Sequence, residues 1–399
     1  MKVNRIVGQD FFSDVVIEGL APDGGLYIPK KGFSKLEPTE WLRISSMPYA
    51  MRAVAILENC IHPMDVSPVE LSTMVHRAYG QNFANQSVVP LKHLTDHQYI
   101  LELFHGPTAS FKDLALQLMP QLFAHCLPQM CNYLILVATS GDTGSAVLNG
   151  FQKLKESDHE RTGVLVFFPE KGVSEIQKLQ MTGFQEGNAK SITVEYATVL
   201  STANSINWAR LLPRVVYHCS VYIDLLRNCT LTFGDPIDVC IPTGNFGNTM
   251  SALYAKQMGI PIRKVICASN HNCIISDFIA SGEYDLHNRK LLVSNSPAID
   301  ILNSSNLERF IHHVSGGDGS LKINLEVQAG WCSEDDCMRA IREVHATTGY
   351  IMDTHTAVGK VGGDRIHDKT CPLVICSTAH HGKFAPAVLK ALQCQNIPG

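Results

Sequence analysis

The sequence predicts an α/β fold with two parallel-sheet domains and a mostly helical N-terminal segment. The chain has 399 residues, of which 45% are hydrophobic and 18% charged, and a single core stops growing at roughly 250–300 residues. This composition therefore favours two cores. A short apolar run, a glycine-containing turn and an amphipathic stretch also follow one another repeatedly. Strands that are apolar throughout and alternate with helices are typical of parallel sheets covered on both faces.

Residues 1–95 lack this repeated unit. They contain Trp41, several prolines and amphipathic stretches at Met51–Leu57 and Leu71–Tyr79, and such stretches predict helices. We interpret them as an N-terminal segment that packs on the main body.

The repeated unit divides the remainder into two predicted domains, residues 96–225 and 226–399. Ligands of parallel sheets bind beyond the carboxyl ends of the strands, so the turns after the strands mark the expected rim of the site. Four predicted strands lead into a turn and a helix: Ile100–Phe104, Tyr133–Ala138, Val164–Phe168 and Val239–Ile241. Two further buried strands are predicted at Val265–Ala268 and Leu373–Cys376.

Charge and cysteine content exclude several classes of function. The formal net charge is −4 and the pI is near 6.5, which leaves no basic footprint for nucleic acid. No apolar run reaches the roughly 20 residues of a membrane span, and Met1–Asp10 does not resemble a signal peptide. The 13 cysteines form no C-x-x-C pair and no zinc-like cluster. We therefore expect an intracellular protein, cytoplasmic or mitochondrial, with no metal and with neither a nucleic-acid nor a membrane partner.

Two glycine-containing turns are candidate anion sites. Gly244–Asn248 follows a predicted strand and opens a helix, so its backbone N–H groups and the helix dipole could bind a phosphate. Thr139–Gly144 has the same arrangement and adds three hydroxyls for a carboxylate or a second phosphate. Each can equally be an ordinary turn with a capping residue. Neither is a Walker or dinucleotide-binding loop, so a nucleotide site is not favoured.

Lys112 is a candidate nucleophile, because it follows a turn and stands among apolar residues that would lower its pKa. Most lysines at the start of a helix are simply solvated, and the position alone does not decide between the two interpretations.

Six motifs, in the same order and across nearly the whole chain, resemble those of the threonine synthase family and of its threonine synthase-like branch. They are far more specific together than singly. The matching stretches are Ala21–Leu26, Leu101–Asp113, Thr139–Gly144, Asn204–Trp208, Gly244–Asn248 and Ser377–His380.

This resemblance implies a fold type II pyridoxal-phosphate enzyme, of the tryptophan synthase β-like kind, and a role for each matching position. Lys112 would hold pyridoxal 5′-phosphate as a Schiff base and move protons, and Thr378 would hydrogen-bond the pyridine nitrogen. Gly244, Asn245, Phe246, Gly247 and Asn248 would cradle the cofactor phosphate. The substrate would contact Ser140, Asp142, Thr143, Asn204, Asn207 and Arg210, with His105 and Thr108 as weaker candidates.

The implied reaction is that of a lyase or synthase acting on a phosphorylated hydroxy-amino acid, O-phosphohomoserine or O-phosphothreonine, with release of phosphate. A dehydratase-like enzyme with an unphosphorylated substrate is one alternative. A binding or signalling protein with impaired catalysis is another, because the chain is shorter than the family pattern at Gly183–Ser191 and again at Gly316–Ala329. We expect the first shortening to remove a strand and helix from the middle domain. A monomer and a homodimer are both compatible with the sequence.

Overall fold

The fold is built on two β-sheets surrounded by helices, in a computed structural model that describes residues 11–30, 32–128, 131–139, 141–168, 173–183, 198–287, 289–315 and 327–394. The strands are β1 (Leu91–Thr95), β2 (Gln98–Glu102), β3 (Asn132–Ala138), β4 (Thr162–Phe167), β5 (Thr198–Thr202), β6 (Ile237–Pro242), β7 (Ile262–Ser269), β8 (Val327–Trp331) and β9 (Leu373–Ser377). The first eight helices are α1 (Phe12–Glu18), α2 (Pro38–Ser45), α3 (Tyr49–Leu57), α4 (Pro68–Tyr79), α5 (Lys112–Leu116), α6 (Met119–Cys126), α7 (Asp142–Gln152) and α8 (Glu156–His159). The others are α9 (Glu175–Thr182), α10 (Trp208–Arg227), α11 (Gly247–Gln257), α12 (Ile274–Ser281), α13 (Leu307–Ser315), α14 (Glu334–Thr348), α15 (Thr354–Ile366) and α16 (Ala385–Leu392).

The larger sheet has six strands in the order β1-β2-β9-β6-β7-β8, and only the β1–β2 hairpin is antiparallel. Strand β6 is buried along its whole length. Its side chains alternate between two cores: Val239 and Ile241 pack with α10 and α11, whereas Cys240 packs with α15. The sheet is therefore covered on both faces, which explains why its parallel strands are apolar at successive positions.

The smaller sheet has three described strands, all parallel, in the order β4-β3-β5. Ile135 and Val137 of β3 point into the core. On the opposite face, Leu136 pairs with Leu165 of β4, and Leu165 and Phe167 are 46% and 55% exposed. Among the described residues this face thus has little cover. The shortened stretch at Gly183–Ser191 that would bear on it lies almost wholly outside the described residues.

The N-terminal segment contains four helices and strand β1; α1, α2 and α3 pack against α10, and α4 packs on α3. Arg52 of α3 donates a hydrogen bond of 2.7 Å to Asp224 of α10, and Trp41 of α2 is fully buried. The segment is thus mostly helical, as the sequence predicts. Strand pairing does not follow the predicted boundary at residue 96, because β2 lies in the six-stranded sheet beside β9. None of the described helices combines the length and the apolar character that a membrane span requires.

Helix α10 is the central helix, and nearly all of its residues are buried. A helix that is buried on all sides is usually apolar on all sides, yet α10 places Arg210, Arg214 and His218 at buried positions. These polar side chains follow one another at intervals of four residues, so they lie along one stripe of the helix. The stripe faces the carboxyl ends of the strands, where the candidate site lies.

Candidate active site

Lys112 begins α5 and is held by a tightly bonded turn. The backbone N–H and the hydroxyl of Thr108 donate to the two carboxylate oxygens of Asp113, at 2.9 and 2.7 Å. Asp113 packs so closely on Gly106 that a Cβ at position 106 would lie 2.4 Å from the Asp113 Cβ. Only glycine fits there without displacing the carboxylate. The turn is also tied to the large sheet, because the N–H of Phe111 donates to the carbonyl of Thr378 at 2.8 Å.

The electrostatic surroundings of Lys112 favour a reactive amine. Its side chain is 13% exposed, and its Nζ lies 3.6 Å from Oδ2 of Asp142. Burial lowers the pKa of Lys112 to about 8. The negative charge of Asp142 opposes this shift, and the positive charges of Arg210 and Lys383 add to it. A sizeable fraction of neutral amine is therefore present near pH 7, as a nucleophile or a base requires.

Asp142 is the carboxylate that organises this group of cations. Besides contacting Lys112, it lies 2.6 Å from the Nζ of Lys383 and accepts a 2.8 Å hydrogen bond from Gln177. Burial alone would raise the pKa of Asp142, but Lys383 and Lys112 outweigh it and hold the pKa below its usual range. Asp142 thus stays ionised and keeps both lysines in place.

The Gly244–Asn248 loop connects β6 to α11. Phe246 adopts the left-handed conformation with φ of 62°, and this reverses the backbone just before the helix begins at Gly247. The hydroxyl of Ser304 donates to the carbonyl of Gly244 at 2.7 Å, which fixes the other end of the loop. The first N–H groups of α11 have no partner within the helix, so this end of α11 can bind an anion.

The Thr139–Gly144 loop has the same position after β3 in the smaller sheet. The Thr139 hydroxyl accepts hydrogen bonds from the N–H groups of Gly141 and Gly144, at 3.0 and 3.3 Å. Gly141 has φ of 148°, which favours glycine. Thr143 accepts a 3.3 Å hydrogen bond from Arg210. Ser140, the remaining polar residue of this loop, lies outside the described residues.

A cavity of about 530 Å³ joins these features, within the range of small-molecule sites. It is lined from the large sheet by the Gly244–Asn248 loop and from the small sheet by the end of β3. Most residues predicted for the site line it: Lys112, Thr143, Asn204, Arg210, Gly244, Asn245, Phe246, Gly247, Asn248 and Thr378.

The other predicted residues lie behind this lining. Asp142 contributes to the site by its ion pairs with Lys112 and Lys383. Asn207 caps α10, accepting from the N–H of Ala209 and donating to the carbonyl of Val16, both at 2.9 Å. His105 lies 2.9 Å from a carboxylate oxygen of Glu102, and Thr108 is bonded to Asp113. Their predicted contacts with a substrate remain predictions.

Three titratable residues that line or adjoin the cavity were not predicted. Arg214 lines the cavity one turn after Arg210, and the interval of four residues is the signal that could have indicated it. Lys383 reaches Asp142 from five residues beyond Thr378. His355 lines the cavity and is oriented by Asp353, 2.7 Å from its Nδ1. The last two come from distant parts of the sequence, and no local spacing indicates them.

Outside the cavity, Asp238, His367 and Cys371 bring possible metal-ligating atoms within 4.8 Å of one another. Both oxygens of Asp238, however, accept hydrogen bonds from Arg263, at 2.9 and 2.6 Å. The charge of Asp238 is thereby neutralised, and we interpret the group as a buried ion-pair network.

Residues 8–79 match the family model for the threonine synthase N terminus. Human threonine synthase-like 1 is 52% identical over an alignment of 439 positions that includes 98% of this chain but only 59% of the relative. The chain therefore spans about three fifths of that relative's length. Because the chain itself has 399 residues, the alignment leaves at least 40 positions of the relative without a counterpart here.

Full-length enzymes of the family also match. Threonine synthase of Pseudomonas aeruginosa is 32% identical, with 95% of this chain and 87% of that protein covered. The crystal structure of pyridoxal-phosphate-bound threonine synthase from Brucella melitensis is 32% identical and superposes with a TM-score of 0.86, over 97% of this chain and 89% of that one. These likenesses confirm the predicted fold class. The chain belongs to the threonine synthase family.

Proposed function

We propose that this chain binds pyridoxal 5′-phosphate and is a lyase or synthase for a phosphorylated hydroxy-amino acid, O-phosphohomoserine or O-phosphothreonine. The observation that carries the proposal is the shared cavity: the amine of Lys112 and the loop before α11 open into the same space of about 530 Å³. A site for this cofactor needs a lysine that can lose its proton near neutral pH and a group of donors for the phosphate. The lowered pKa of Lys112 and the open N–H groups at the start of α11 support the proposal. The Brucella relative, crystallised with pyridoxal phosphate, supports the same assignment.

The residues divide the work between proton transfer and phosphate binding. When bound, pyridoxal phosphate acidifies the α-carbon of an amino acid and stores the resulting electron pair. Lys112, whose pKa is about 8, can take that proton at Nζ and return it later. Asp142 keeps the protonated amine in position, 3.6 Å away. Arg210, which already donates to Thr143, can bind the substrate phosphate through charge-assisted hydrogen bonds.

Two outcomes are chemically balanced once the ester C–O bond has broken and phosphate has left. O-phosphohomoserine and one water give threonine and phosphate in the synthase reaction. O-phosphohomoserine or O-phosphothreonine and one water give a 2-oxo acid, ammonia and phosphate in the lyase reaction. The products therefore distinguish the two activities.

The first test is cofactor attachment. Protein incubated with pyridoxal phosphate should acquire a visible absorbance band, and borohydride should fix the cofactor on Lys112, as peptide mass spectrometry would show. Lys112→Ala should lose the band, whereas Lys92→Ala, at an exposed position of β1, should keep it. A folded wild-type protein without the band would refute the proposal.

The second test is phosphate release from O-phosphohomoserine and from O-phosphothreonine, with analysis of the amino acid and the oxo acid formed. Oxo-acid release from free threonine without turnover of either phosphate ester would favour the dehydratase-like alternative.

A binding or signalling role with impaired catalysis is a second candidate, favoured by one specific observation. At least 40 positions of the human relative have no counterpart here, and one face of the smaller sheet exposes Leu165 and Phe167. Enzymes of this kind exclude water by closing over the substrate, and that closure would be weakened if the unmatched positions belong to the smaller sheet. Cofactor attachment with no product from any phosphorylated amino acid would support this candidate.

A further inference from the structure

Arg214 is a buried cation of α10. It is 2% exposed, and its Nε atom is buried without a hydrogen-bond partner. Among the described residues it forms no ion pair, and its guanidinium carbon lies 5.2 Å from the centroid of the Phe111 ring. An unpaired buried charge costs several kcal/mol. A protein retains such a group when an anion compensates it in the working state.

The position of Arg214 identifies the side of the cavity from which that anion would come. A Cβ added to Gly247 would lie 2.9 Å from Nη1 of Arg214, so the guanidinium lies directly against the first residue of α11. Arg214, Gly247 and Asn248 all line the cavity. An anion bound at the start of α11 would therefore be within reach of both the helix N–H groups and the arginine.

A second unpaired donor lies at the same end of α11. The Oδ1 atom of Asn248 accepts from the hydroxyl of Tyr217 at 2.6 Å and lies 2.9 Å from Nε2 of His218. These contacts orient the amide and leave its Nδ2 atom buried and without a partner among the described residues. Tyr217 and His218 follow Arg214 on α10, so one helix supplies a cation and orients a neutral donor at one place.

Arg210 is engaged elsewhere. It donates to the carbonyl of Ala203 at 2.6 Å and to the hydroxyl of Thr143 at 3.3 Å, and Thr143 belongs to the smaller sheet. Arg214 contacts the loop of the larger sheet. The two arginines, one helical turn apart, therefore serve opposite sides of the cavity.

We propose that Arg214 is a direct ligand of the cofactor phosphate, together with the N–H groups at the start of α11 and Nδ2 of Asn248. This inference rests on the proposed function, because it requires that pyridoxal phosphate bind in the cavity. A phosphate dianion compensates the buried guanidinium and receives charge-assisted hydrogen bonds from it. The cradle in this chain is thus cationic and does not depend on backbone groups alone.

The test compares pyridoxal phosphate with pyridoxal, which lacks the phosphate, in equilibrium binding to wild type, Arg214→Gln and Arg342→Gln, the last on α14 outside the cavity. A charge-assisted hydrogen bond contributes about 1.5–3 kcal/mol, equivalent to about a tenfold to a hundredfold change in affinity. Arg214→Gln should weaken pyridoxal phosphate by about that factor and leave pyridoxal unchanged. Arg342→Gln should leave the affinity for both compounds unchanged. Arg214→Lys, which keeps the charge but not the planar donor fork, should restore part of the lost affinity.

The remaining outcomes overturn the inference in distinguishable ways. An equal loss for both compounds in Arg214→Gln would mean that the arginine only supports the fold of the site. Unchanged pyridoxal phosphate affinity in a folded Arg214→Gln protein would mean that the guanidinium serves another anion. Failure of the wild type itself to bind either compound would refute the proposed function together with this inference.

Discussion

Removal of the carboxylate of Asp142 should shift the pH at which Lys112 becomes reactive. Asp142 is the carboxylate that favours the charged form of Lys112, at a distance of 3.6 Å. Two unit charges at about 4 Å attract each other by about 1 kcal/mol with water-like screening and by about 4 kcal/mol at an effective dielectric constant of 20. One pKa unit corresponds to about 1.4 kcal/mol. Asp142→Asn should therefore lower the pKa of Lys112 from about 8 by about one unit or more.

The sign follows from the protonation states. Without the negative charge the ammonium form loses stabilisation, so the neutral amine forms at lower pH. At pH 7 about one tenth of the lysine is neutral when its pKa is 8, and about half is neutral when its pKa is 7. Attachment of pyridoxal phosphate at pH 7 should accordingly be roughly fivefold faster in Asp142→Asn than in wild type.

The assay is the initial rate of cofactor attachment between pH 5.5 and 9, measured by visible absorbance in stopped flow. Asp113→Asn is the matched control, because Asp113 is also buried and adjacent in sequence but makes its hydrogen bonds to Thr108. Its rate profile should keep the wild-type midpoint. A midpoint that stays at the wild-type value in a folded Asp142→Asn protein would refute this account of the site's electrostatics.

The N-terminal segment, the central helix and the exposed sheet face lead to further predictions. Arg52→Ala should destabilise the protein by about 1.5–3 kcal/mol, because it removes the charged hydrogen bond to Asp224, whose side chain is 22% exposed; denaturant unfolding checks this, with Arg43→Ala, in an exposed pair, leaving stability unchanged. Burial lowers the pKa of His218 to about 4, so the folded state resists a proton that the unfolded chain accepts below about pH 6.5. Stability should therefore fall by about 3 kcal/mol as the pH drops from 6.5 towards 4, and His218→Asn should lose this dependence in unfolding curves at pH 7 and 4.5. Leu165→Glu, on β4 in the exposed sheet face at a position 46% exposed, should leave the melting temperature nearly unchanged, because surface substitutions cost little; a large drop in thermal unfolding would contradict the exposure of this face.

The fold was predictable where single segments carry the whole signal. Strands β6 and β9 are buried on both faces, and their continuous apolar runs are visible in the sequence. Strand β3 is equally apolar, although only one of its faces is buried. Strand β8, Val327–Trp331, was not predicted, because its register position beside β7 depends on pairing with a distant segment and its residues Gln328 and Gly330 carry no strand signal. The placement of β2 beside β9 is likewise a pairing that no local pattern records.

The same contrast holds in the site. Lys112 and the Gly244–Asn248 loop could be predicted from the sequence, because each belongs to a short motif with a recognisable spacing. Lys383 belongs to the site because it forms an ion pair with Asp142, which lies 241 positions earlier in the chain. Arg214 has an ordinary amphipathic context, and only the absence of a counter-ion among the described residues marks it. Long-range electrostatics of this kind arise from folding and cannot be read from spacing.

The two halves of the cavity are built on different sheets, and this separates cofactor binding from catalytic turnover. The Gly244–Asn248 loop and Thr378 follow strands of the six-stranded sheet, whereas Thr143 follows β3 of the three-stranded one. Loss of material from the smaller sheet would therefore leave the Gly244–Asn248 loop and Thr378 in place. We infer that cofactor absorbance depends on these groups together with Lys112 and its partner Asp142, whereas turnover also requires Thr143. Within this family, a chain could then lose catalytic turnover and still bind the cofactor with its visible absorbance.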